Sequence, residues 1–234
     1  MKKLCTLLIC LSILGCNSDT PHVIKRGLIT QEAMVVSARV EASQIGKDLL
    51  KKGGNAFDAM VGTEMALAVT YPYAGNLGGG GFMVYRLADG SIGGLDYREK
   101  APQKSHKDMF LDSLGNVIPD LSVEGGLAVG VPGTIAGIFA AHERFGSLPL
   151  KTILEPVVAL AKNGYRVTEK QQQRFEKYST VFNRVNNDST MLYSHAFAKA
   201  DTVKNNALAA TLQRIIDNGK SEFYGGTTGQ KMVD

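Results

Sequence analysis

Residues 74–102 read AGNLGGGGFMVYRLADGSIGGLDYREKAP, and the interpretation of this stretch decides the rest. Four consecutive glycines, Gly78 to Gly81, remove every side chain from one length of backbone and permit positive φ. Phe82, Val84 and Arg86 then alternate with Met83, Tyr85 and Leu87, a short strand with little polarity on either face. Ala88-Asp89-Gly90 is a turn, because Asp-Gly suits the left-handed central positions of a tight hairpin. The return strand, Ser91 to Tyr97, delivers Arg98 and Glu99 at its end, and Pro102 stops regular structure. The layout predicted is a glycine loop, a buried hairpin and one arginine at the rim.

A phosphate cradle would have the glycines open a helix, with a Lys-Ser or Lys-Thr pair behind them. Here they open a strand, and no lysine follows before Lys100, which argues against a nucleotide site. Close approach of the backbone to another chain segment or to a ligand remains, and composition does not choose between the two.

Several separated motifs occur in one order: Gly53-Gly54-Asn55-Ala56-Phe57-Asp58-Ala59, Asn76 to Met83, Asp96-Tyr97-Arg98-Glu99 with Ala101-Pro102, Val131-Pro132-Gly133-Thr134, and Glu222-Phe223-Tyr224 with Gly226. Together they resemble the large subunit of a γ-glutamyltranspeptidase, an N-terminal nucleophile hydrolase, over roughly residues 30 to 230. The resemblance implies an α+β fold, part of a four-layer αββα sandwich, incomplete in this chain. It implies transfer of a γ-glutamyl group from glutathione or a similar donor to water, an amino acid or a peptide. It also implies that Arg98 holds the α-carboxylate of that group. An arginine at a strand end can present its planar fork to a carboxylate. From the residues alone, a structural ion pair with Glu99 is the alternative for Arg98. Glu99 is expected to steady the arginine or cap the loop.

The family's nucleophile is a threonine that becomes the small subunit's N-terminus after self-cleavage, its own amine acting as base. Thr63, Thr70, Thr134, Thr227 and Thr228 are internal, and none lies in the family's processing motif. No catalytic residue is therefore assigned in this chain, and the 234 residues alone are expected to be inactive. Related amide hydrolases of the same fold, a cephalosporin acylase or a poly-γ-glutamate processing enzyme, are alternatives, as is a non-catalytic envelope-binding lipoprotein. Half a sandwich would leave sheet edges unpaired and prone to association.

Residues 1–15 read as a signal peptide: Lys2 and Lys3, then an apolar run from Leu4 to Leu14, too short to span a bilayer. Ile13-Leu14-Gly15-Cys16 resembles a lipobox, so Cys16 is the expected lipidation site. Residues 16–29 are expected to form a tether and residues 30–234 a partial large-subunit domain. The expected location is the bacterial envelope, lipid-anchored and facing the periplasm, with a soluble periplasmic or secreted protein as the alternative. A lipid anchor would bring the membrane as a partner. The three cysteines are Cys5, Cys10 and Cys16, so the folded part has no thiol to pair. The formal net charge is +4, and removing Lys2 and Lys3 brings it to +2 (24 basic against 22 acidic), which suggests no nucleic-acid partner. His22, His106, His142 and His195 lack metal-ligand spacing, so no metal and no cofactor are expected, and His142 reads as a packed residue.

Around the central stretch the periodicity predicts helices over Glu41–Lys52, stopped by Gly53-Gly54, and over Ala56–Val69, capped by Asn55. Asp58 and Glu64 fall on different faces of the second helix, in solvated or capping roles. A helix after Pro132 closes at Gly146, and another runs to Asn163 with Pro156 in its first turn or kinking it. Residues 168–178 read as a polar helix with Gln171 to Gln173 in solvent, residues 183–205 as a surface loop, and Leu208–Asn218 as the last clear helix.

Overall fold

The computed structural model describes residues 27–186 and 192–233. The expected signal peptide, Cys16 and most of the tether lie outside them. The chain divides after Ala33; residues 27–33 are exposed irregular chain, and the unit that begins at Met34 carries the fold.

Helix α1, Val40–Lys51, turns Ala42, Gly46 and Leu49 inward. It ends as the two glycines predict: Gly53, at φ +90°, donates to Leu50 O at 3.0 Å and Gly54 to Leu49 O at 3.0 Å. This is the paired closure of a Schellman motif. Helix α2, Ala56–Thr70, starts on a capping box in which Asn55 accepts from the amides of Phe57 and Asp58, while Asp58 accepts from the Asn55 amide. Ten residues of α2 are buried, so it is the central helix of the unit. Small residues bring α1 close: a Cβ on Gly46 would stand 3.1 Å from Ala59 O, and one on Gly62 would run into the Leu49 side chain.

Helices α3, Thr134–Phe145, and α4, Leu150–Asn163, pack on α2, and α6, Asn206–Asn218, packs on α4. The core between them holds Val61, Met65, Ile135, Ile153, Leu154 and Leu212. Pro132 stands before the helix it was expected to open, since α3 starts at Thr134 with Gly133 as its N-cap. Pro156 is the seventh residue of α4, well past the first turn. His142 is a packed residue, its Nε2 2.8 Å from Leu148 O.

Two expectations about the second half of the chain are corrected. Helix α5, Glu169–Asn186, is mostly polar, yet Gln171 is buried rather than solvated. Its amide donates to Thr70 O at 2.8 Å, and its carbonyl oxygen accepts from the Arg39 guanidinium and from the Thr168 amide. Buried polar groups persist where partners satisfy them, and two of these partners, Thr70 and Arg39, lie far away in sequence. Within the expected loop at 183–205, Thr202–Val203 forms β4, antiparallel to β3, Tyr165–Arg166, and Val203 is buried. After α6 come two short helices, α7, Lys220–Gly225, and α8, Thr227–Val233.

The central hairpin pairs β1, Phe82–Arg86, with β2, Ile92–Asp96, Phe82 opposite Asp96 and Arg86 opposite Ile92. Its loop has three residues: Gly90 donates to Leu87 O, Leu87 donates to Ser91 O, and only Gly90 has positive φ. The hairpin is not buried as expected. Met83, Tyr85, Gly93 and Leu95 face inward, and Tyr85 packs on Phe57 and Phe145 with ring centroids at 5.7 and 4.8 Å. Phe82, Val84 and Ile92 face outward at 65, 89 and 79% exposure. Apolar residues on both faces hid an alternation that the backbone nevertheless obeys.

Candidate substrate-binding site

The segment Tyr97–Lys100 is threaded between two others. On one side Tyr97 continues the hairpin ladder with Gly81, at 3.0 and 3.3 Å. On the other, Lys100 and Val131 exchange amide–carbonyl bonds at 3.1 and 2.7 Å. The glycine loop closes on the far segment as well, because Gly79 O accepts from the amides of Gly133 and Thr134 at 2.8 and 3.0 Å.

This threading decides what the glycines are for. None of Gly78 to Gly81 has positive φ, so conformational freedom is not the requirement. Space is. A Cβ on Gly80 would lie 2.5 Å from Tyr97 O and 2.8 Å from both Arg98 Cα and Glu99 N. One on Gly130 would lie 3.0 Å from Glu99 Cβ, and those on Gly133 and Gly137 would collide with Tyr97. The close approach left open by composition is therefore to another chain segment, the one that carries Arg98.

Arg98 emerges from this cradle with its side chain 61% exposed. Its amide donates to Asp96 Oδ1 at 2.9 Å, which fixes the turn of the backbone after β2. Its Nε donates to Glu99 Oε2 at 3.0 Å, and the guanidinium lies over the Phe82 ring, 5.5 Å from the centroid. The ion pair with Glu99 thus exists, but it engages Nε alone. Among the described residues neither Nη has a hydrogen-bond partner. The Glu99 carboxyl sits below its ordinary pKa: its own backbone amide lowers it most, Arg98 and the Gly80 amide add to this, and partial desolvation opposes them. The pair steadies the arginine and leaves the outer edge of the fork open to an anion.

Glu64 is not solvated. It is half-buried on α2, and the Tyr97 hydroxyl donates to its two oxygens at 3.2 and 3.1 Å. Burial raises the Glu64 carboxyl, with the Tyr97 bond working against it, and burial followed by the Glu64 charge raises the Tyr97 phenol. Asp58 does cap, and it also accepts from the Ser147 amide at 3.0 Å and the Ser147 hydroxyl at 2.5 Å. The two carboxylates on α2 therefore serve different neighbours and form no acid–base pair.

Of the internal threonines, two have bonded hydroxyls, while the buried Thr63 hydroxyl on α2 has no hydrogen-bond partner among the described residues. Thr70 Oγ1 donates to Ala66 O and Thr228 Oγ1 to Glu222, while the Thr134 amide closes the glycine loop. Sequence reasoning missed the Tyr97–Glu64 pair. A signal was present in Gly133 and Gly137, spaced one helical turn apart, the first leaving room for the Tyr97 backbone and the second for its ring.

The family model for gamma-glutamyltranspeptidase matches residues 42–234, which covers every motif from Gly53 to Gly226 quoted above. The chain belongs to the gamma-glutamyltranspeptidase family. The glutathione hydrolase proenzyme of Escherichia coli strain K12 is 39% identical to this family member over 222 residues, 94% of this chain and 38% of that protein. That of Pseudomonas aeruginosa is 45% identical over 195 residues, 82% of this chain and 34% of that protein. The solved γ-glutamyltranspeptidase of Helicobacter pylori superposes with a TM-score of 0.84 at 38% identity, over 88% of this chain and 60% of that one. The chain thus spans little more than a third of the length of the curated relatives it matches, and its α+β architecture is that of the corresponding part of a solved member of the family.

Proposed function

We propose that the protein to which this chain belongs is a glutathione hydrolase and γ-glutamyltransferase, and that Arg98 holds the α-carboxylate of the γ-glutamyl donor. The observation that carries this reading is the state of Arg98: backbone fixed by a glycine cradle, Nε occupied by Glu99, both Nη exposed without a partner among the described residues. A guanidinium so arranged offers two parallel N–H groups to a planar anion, which matches an amino-acid carboxylate. The names of the relatives support glutathione as donor and synthesis as a proenzyme, and the family resemblance adds its self-cleavage into a large and a small subunit. The acyl step would use a threonine outside these 234 residues, with water, an amino acid or a peptide as acceptor.

Acylases and poly-γ-glutamate processing enzymes on the same fold are less favoured, because relatives at 39 and 45% identity are glutathione hydrolase proenzymes. The leader pattern ending at Cys16 supports export to a bacterial envelope with a lipid anchor. Metabolic labelling with a palmitate analogue, lost on Cys16→Ser, checks that part. Steady-state kinetics of the full-length protein test the Arg98 role. Arg98→Ala should raise KM for a γ-glutamyl anilide about a hundredfold, the scale of a charge-assisted carboxylate contact. An unchanged KM would remove the assignment.

A further inference from the structure

Tyr97 is held at both ends. Its backbone is paired to Gly81, its ring lies between Gly81 and Gly137, and its hydroxyl reaches across to Glu64 on α2. A Cβ on Gly81 would stand 2.9 Å from the ring atoms, so the ring occupies the space that a side chain there would fill. Tyr97 directly precedes Arg98, with the tyrosine half-buried and the arginine side chain exposed. The two Cα atoms share one peptide unit, so a shift of the tyrosine backbone changes the direction in which the arginine leaves the chain.

Glu64 has no reason of packing to be a carboxylate. It forms no ion pair among the described residues, and its hydrogen-bond partner is the Tyr97 phenol. Holding an ionisable group in a half-buried place without a cation is costly. A phenylalanine at 97 with a small residue at 64 would fill the same space at no such cost. The pair does one thing that such a filling would not: it ties the tip of the Tyr97 ring to the central helix.

We propose that Glu64 is a positioning residue for γ-glutamyl donor binding, acting through the Tyr97 hydroxyl to fix the direction in which Arg98 leaves the backbone. The inference rests on the reading of Arg98 as the carboxylate-binding group. It adds two residues to the donor site that do not touch the substrate.

The test measures KM and kcat of the full-length protein with γ-glutamyl p-nitroanilide. Glu64→Ala and Tyr97→Phe are expected to raise KM about five- to tenfold, the effect of losing one hydrogen bond to a charged group at one remove. Glu64→Gln keeps an acceptor for the hydroxyl and should stay within about twofold of the parent in KM. A purely structural role would lower the amount of active protein, and so the maximal rate, with KM unchanged. That result in Glu64→Ala and Tyr97→Phe would overturn the proposal. Arg98→Ala in the same assay separates the two ideas. If it leaves KM unchanged, the reading of Arg98 fails; if it raises KM while the Glu64 and Tyr97 variants do not, only the positioning role fails. Tyr97→Phe and Glu64→Gln are nearly isosteric, so the comparison survives if the alanine variant does not fold.

Discussion

The amide of Gly133 donates to the carbonyl of Gly79 at 2.8 Å, which ties the start of α3 to the glycine loop across the segment that carries Arg98. Two glycine-bearing stretches, more than fifty residues apart, thus close over one strand end. The arrangement makes the glycines a matter of volume, and volume is easily tested.

Gly80→Ala would push a methyl against Tyr97 O, Arg98 Cα and Glu99 N, all backbone or backbone-attached and unable to rotate away. It is expected to destabilise the protein by about 2–3 kcal/mol, in the range of overpacked sites. Gly78→Ala meets nothing closer than Asn76 Oδ1 at 3.6 Å and should stay within about 0.5 kcal/mol of the parent. Thermal unfolding of the two variants side by side checks this, and equal effects would contradict the cradle.

Asp58 is fully buried and binds the Asn55 amide, the Ser147 amide and the Ser147 hydroxyl. Burial by itself raises its carboxyl, but the Ser147 hydroxyl and the three backbone amides around it outweigh this and leave the pKa below the ordinary 3.8. The unfolded chain then binds the proton more tightly than the folded one. The stabilisation is complete above pH of about 4 and is lost as pH falls through the folded pKa. Asp58→Ala should cost about 2–3 kcal/mol at neutral pH, and its penalty relative to the parent should shrink below pH 4. Urea unfolding at pH 7 and pH 3 measures both.

Gln171→Ala removes the donor to Thr70 O and the acceptor for the buried Arg39 guanidinium, and should destabilise by about 2–4 kcal/mol. Gln173→Ala, at an exposed position on the same helix, should change stability by less than about 0.5 kcal/mol. Chemical denaturation distinguishes them, and similar values would show that the network contributes little.

That contrast also marks where local sequence stops being informative. The Schellman stop at Gly53-Gly54, the Asn55 cap, the hairpin and the packed His142 were legible, because each depends on residues within a few positions of one another. Gln171 was misplaced since its burial is set by Thr70 and Arg39, 101 and 132 residues away. The two-residue strands β3 and β4 are too short to show a period. Phe82, Val84 and Ile92 read as buried, and their exposure follows from the register of the hairpin and not from their chemistry. At the candidate site, Arg98 was found through the motif that contains it. Glu64 was not, because nothing on α2 reveals that a phenol from the hairpin will reach it.

The most direct measurement is a crystal structure of the full-length protein with L-glutamate bound. The account predicts both Nη atoms of Arg98 within hydrogen-bond distance of the α-carboxylate, Nε still on Glu99, and the Tyr97 hydroxyl still on Glu64. Glutamate bound with its carboxylate on other groups, and Arg98 left lying over Phe82, would contradict it.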